Sequence, residues 1–160
     1  MAQQSVDELK SLLKRDLANL DQLEKTLETE HEALSRNDME HLDQAREQKD
    51  ELLKAIRERA KRKIHILVNM GYRPDSGRAA SAFLREETGD EGLITAWQEA
   101  QKKLEACQRR NAVNGRIINH MQRRLTRISD IIRGSNPNQS LYGSGGETRS
   151  LNASNVLTTA

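Results

Sequence analysis

Aromatic residues are almost missing from this chain, with one Trp, two Tyr and one Phe among 160 residues. Four rings offer no stacking platform for nucleic-acid bases. Cysteine occurs once, at Cys107, which excludes a disulfide framework or a cysteine-based zinc site within one chain. Neither sign of charge dominates: 26 basic and 24 acidic residues leave a formal net charge of +2. No global field therefore draws the chain onto nucleic acid or a membrane surface. Long apolar runs are missing too. The longest cluster, Ile64 to Met70, is too short to span a bilayer, and MAQQSVDELKSLL at the start holds no stretch of signal-peptide length. A cytoplasmic protein without membrane insertion is expected.

What remains is 35% hydrophobic and 31% charged residues, close to the composition of long helices and coiled coils. Such a chain makes seams instead of a thick core. Leu13, Leu20, Leu27 and Leu34 recur every seven residues, flanked by Leu9, Leu17 and Leu23. Ser5 and Glu8 form an S-x-x-E capping box that predicts the first helix start. SRND, residues 35 to 38, predicts its end, with Asn37 and Glu40 offering a cap to a second helix that runs from about Met39 to a stop at Gly71. Between Gly71 and Gly92 the pattern loosens around YRPDSG and TGDEG, with AASAFLREE as a short connecting helix.

A third long helix is expected from about Glu91 to Arg133. Within it Asn114-Gly115 has the look of a hairpin turn, yet the apolar pattern does not stop there. Leu93, Trp97, Ala100, Leu104, Cys107, Asn111, Asn114, Ile118, Met121, Leu125, Ile128 and Ile132 follow at alternating steps of three and four. That is one continuous heptad seam, at 1.5 Å per residue roughly 60 Å long. Cys107 falls on it as a small core residue. The predicted fold is all-α: an elongated antiparallel bundle of three long helices with a short connecting helix. Residues 1–133 form that helical-bundle domain. Residues 134–160, mostly Ser, Gly, Asn and Thr, form a disordered C-terminal tail interrupted by Leu141-Tyr142 and Val156-Leu157.

Tests for chemistry come out empty. A di-iron bundle needs two Glu-x-x-His pairs, and only Glu28 with His31 supplies one; His31 reads as a polar seam position. No nucleophile with base and orienting acid stands out, nor any phosphate-binding glycine loop. No catalytic residue, metal site or cofactor is expected. The basic residues after Lys102 include Arg109, Arg116 and Arg123, seven apart and opposite the seam, where a solvated face belongs. Nucleic acid is not an expected partner.

Asn111 and Asn114 are the unusual seam residues. A buried asparagine costs stability and commonly fixes register or partner number. Here it admits two readings: a register pin inside the bundle, or a seam kept open for a helix from another protein, with Gly115 allowing close backbone approach. At these residues the sequence resembles the FlgN family of flagellar export chaperones. NAVNGRII, residues 111 to 118, is similar to the family's N-x-x-N-G signature, and LYG, residues 141 to 143, to its tail motif.

The resemblance implies a cytoplasmic type III secretion chaperone for the hook-filament junction proteins FlgK and FlgL, which delivers them to the export gate protein FlhA. It implies that Tyr142, next to Leu141, takes part in gate docking. The client-binding residues expected are Asn111, Asn114, Gly115, Ile117, Ile118, Met121, Leu125, Ile128, Ile131 and Ile132, because this stripe is wider than one partner helix needs. The alternatives are a structural coiled-coil homo-oligomer, a weak homo-oligomer of the chaperone itself, and a chaperone for another flagellar export substrate.

Overall fold

The computed structural model describes residues 2–134, and these contain helices and no strand. Helix α1 spans Ala2–Arg36, α2 Met39–Asn69, a single 3-10 turn Pro74–Ser76, α3 Ala80–Thr88 and α4 Glu91–Ile132. The expected tail, with Leu141 and Tyr142, lies outside the described residues. The chain divides into two compact units, residues 1–114 and 115–160, with the boundary inside α4.

The first unit is organised by the α1 seam. Val6, Leu9, Leu13, Leu20, Leu23, Leu27 and Leu34 are buried at heptad spacing. Helix α2 runs antiparallel to α1: Arg62 pairs with Glu8, Arg59 with Asp16 and Lys49 with Glu30, so one number falls as the other rises. The N-terminal part of α4 runs parallel to α1, because Asp90 meets Lys10, Lys103 meets Asp21 and Arg110 meets Glu24 and Glu28. Helix α3 adds the buried pair Phe83 and Leu84, and the Tyr72 ring from the connector packs against Phe83 at 5.3 Å, tilted by 51°. These aromatic rings close one end of a core otherwise made of leucine and isoleucine.

Helix boundaries follow local chemistry. The Ser5 capping box is not the start of α1, which begins at Ala2. Ala2, Gln3 and Gln4 are good helix formers, and Gln3 donates to Asp7 one turn on, so nothing stops the helix short of them. The break at residues 35–38 is real, with its roles shifted by one. Asn37 takes the left-handed conformation (φ 54°), which asparagine tolerates better than most residues, and Asp38, not Asn37, accepts from the His41 N–H as the cap of α2. Gly71 (φ 105°) turns the chain out of α2 while the Tyr72 N–H returns to the Leu67 carbonyl. Asp90 caps α4 by accepting from the Leu93 N–H at 3.0 Å.

Helix α4 passes through Asn114 and Gly115 without a break, which rules out the hairpin turn. No part of the described chain approaches Gly115 closely, since a Cβ there would meet nothing within 4 Å. In the second unit Ile118 is buried, and Ile117 and Met121 are half-buried. Leu125, Ile128, Ile131 and Ile132 are 65%, 52%, 73% and 79% exposed.

Candidate functional site

The apolar seam of the first unit is interrupted by two acids. Asp16 follows Leu13 by three and precedes Leu20 by four, and Glu30 stands in the same relation to Leu27 and Leu34. Both therefore point where leucines point, and both are buried, Glu30 completely. A lone buried carboxylate is very costly, so each needs a cation, and α2 supplies it.

Around Asp16, Arg59 Nε and Lys63 Nζ each approach one carboxylate oxygen at 2.5 Å. Arg59 also donates to Asn19 Oδ1, and the Lys63 ammonium lies 5.2 Å from the centre of the Trp97 ring. Around Glu30, Lys49 Nζ donates at 2.8 Å to one oxygen and at 3.1 Å to Asn111 Oδ1. Asn114 Nδ2 donates to the other Glu30 oxygen at 2.9 Å and to the Leu27 carbonyl at 3.0 Å.

With both amide hydrogens so placed, Asn114 Oδ1 faces His31, whose Nδ1–H donates to it at 3.0 Å. Asp16 and Glu30, Lys63 and Lys49, and Trp97 and Asn111 are each separated by fourteen positions, two heptads. The unit thus holds two polar layers of one plan: an acid from α1, a lysine from α2 and an α4 residue on the lysine.

Asn114 is saturated inside this network, and Asn111, half-buried, has its oxygen occupied by Lys49. The geometry is that of a register pin: only one alignment of α1, α2 and α4 brings these donors and acceptors together. His31 is exposed and reaches the layer from its rim. Every buried side-chain N or O among the described residues has a partner. Cys107 is buried four residues before Asn111 with its Sγ 3.8 Å from the Leu20 carbonyl, and burial pushes its thiol above the ordinary range.

The basic run from Arg57 to Lys63 is largely structural, since Arg59, Arg62 and Lys63 all serve α1 carboxylates. Asp16, Glu30, Lys49, Arg59 and Lys63 were not singled out from the sequence. The signal was present, because the three-and-four stepping of α1 runs through both acids.

Nearby, Ile56, Ala60, Trp97, Ala100 and Leu104 line an open groove of about 320 Å³. The second unit presents a different surface: Leu125, Ile128, Ile131 and Ile132 form an exposed apolar stripe, with Arg116 and Arg123 exposed on the opposite face. None of the groups of His, Cys, Asp and Glu among the described residues has the makings of a metal site. No described helix is long and apolar enough to cross a membrane.

An all-helical protein with satisfied polar layers in one unit and an uncovered heptad stripe in the other has the makings of a helix-binding protein. The family model for FlgN protein matches residues 1–150, and the chain belongs to the FlgN family, a family of flagellar export chaperones and not of enzymes. No curated protein and no solved structure matches it.

Proposed function

We propose that the chain is a cytoplasmic chaperone that captures the terminal helices of the hook-filament junction proteins FlgK and FlgL, keeps them soluble and hands them to the export gate protein FlhA. The observation that carries the reading is the exposed stripe Leu125, Ile128, Ile131 and Ile132. Leu125, Ile128 and Ile132 continue the spacing of the buried seam, with Ile131 on its border, and an apolar stripe in heptad register is what a second amphipathic helix packs against. Ile117, Ile118 and Met121 form the less accessible end of the same face. Asn111 and Asn114 contribute indirectly, by fixing the helix that carries it. Leu141 and Tyr142 serve the gate.

Hydrogen exchange on the full chain with and without FlgK is the test. Slowed exchange across residues 117–132 is expected. Protection confined to α1, with residues 117–132 unchanged, would remove the stripe from client capture. A second reading, self-association through the stripe, is favoured by the same exposure; a solution mass of twice the monomer in the absence of client would support it.

A further inference from the structure

The stripe has two unlike borders. The row along one side is Ile117, Arg124 and Ile131, with Arg127 just outside it; the row along the other is Gln122 and Ser129, with Thr126 and, one residue past the end of α4, Arg133 outside. Arg124 and Arg127 are exposed, and between Gly115 and Gly134 five arginines face a single acid, Asp130. Residues bordering a heptad seam set partner choice and orientation through charge. We infer that the occupant of this face is an amphipathic helix carrying acidic residues along one border only, the one that lies beside Arg124 and Arg127. This rests on the client-capture reading and names the chemistry of the partner.

Other occupants fit less well. In an antiparallel pair of helices like borders face each other, so a second copy of this chain would set Arg124 against its own counterpart. The chain's residues after Gly134 contain one acid, Glu147, beside Arg149, and offer no acidic border. A membrane surface would use the arginines, but residues 115–134 contain no Trp, Tyr or Phe to anchor a helix at the interface.

Two designed helical peptides with identical leucine heptads are the probes, one with glutamates along one border and one with lysines there. Each is titrated into the full chain at about 50 mM and about 500 mM salt, where screening differs strongly. The acidic peptide is expected to bind about five- to tenfold more tightly at low salt, the size two exposed charge pairs supply. The preference should shrink at high salt and reverse in the Arg124→Glu/Arg127→Glu variant.

Equal binding of both peptides, abolished by Leu125→Asp/Ile128→Asp, would overturn the charge inference while leaving helix capture intact. Binding of neither peptide would overturn both. A dimer dissociated by Arg124→Glu/Arg127→Glu, or binding to vesicles of one-quarter phosphatidylglycerol in place of the acidic peptide, would assign the face to a second copy or to lipid and overturn it as well. Circular dichroism of each variant guards against misfolding, and a variant with altered helicity is replaced by Arg124→Gln/Arg127→Gln, for which loss of the preference is expected and its persistence overturns the inference.

Discussion

Helix α4 carries one heptad pattern, but its two parts meet different surroundings. Leu93, Ala100 and Cys107 in the first unit are buried, whereas Leu125, Ile128 and Ile132 in the second, on the same three-and-four pattern, are more than half exposed. The difference teaches that periodicity marks a face as intended for cover without saying which chain covers it. In the first unit the cover is α1 and α2, and its register is enforced by buried ion pairs. Nothing in the residues at 125 to 132 themselves signals their exposure, since isoleucine and leucine look alike in either setting.

The sharpest way to break this comparison is to truncate a seam residue on each side. Leu93 is fully buried, and Leu93→Ala is expected to cost about 3 kcal/mol through lost burial and a residual cavity. Leu125→Ala, with 65% of the residue already in water, should change stability by no more than about 0.5 kcal/mol. Urea unfolding of both variants measures the contrast. Equal costs would mean that the second unit's stripe is covered in solution.

The polar layers are the next place to press. Glu30→Ala leaves the Lys49 ammonium, itself mostly buried, without its carboxylate and is expected to cost about 3 kcal/mol. Glu30→Leu with Lys49→Met should recover most of that loss, because removing both partners leaves no unpaired charge. Asn114→Leu strips one donor from Glu30 and the acceptor from His31, so a loss of about 1–3 kcal/mol is expected. A higher melting temperature for Asn114→Leu would instead support an asparagine layer that holds the seam open.

Much of this architecture was legible in the residues. The leucine repeat gave α1, Gly71 gave the end of α2, and the unbroken stepping through Asn114-Gly115 gave α4 as one helix. The layers were harder to see because attention to leucine alone passes over Asp16 and Glu30, which keep the step but not the hydrophobicity. Their cations are harder still. Lys49, Arg59 and Lys63 look like ordinary surface charges until the antiparallel alignment of α2 brings each opposite an acid. That pairing is information about two helices together, and no single-helix pattern contains it.

Gly115 gives the smallest expected effect and still separates structure from binding. It sits inside α4, has no positive φ, and a Cβ there would meet nothing within 4 Å. Glycine in a helix interior is destabilising by roughly 0.5–1 kcal/mol relative to alanine, so the fold alone gives no reason for it. Gly115→Ala is therefore expected to stabilise the chain by about that amount in thermal or urea unfolding. If FlgK affinity falls while stability rises, the glycine is there to let a client helix approach α4 closely at the start of the exposed face. If affinity is unchanged, the client contacts begin further along, at Leu125 and beyond, and Gly115 serves neither fold nor capture.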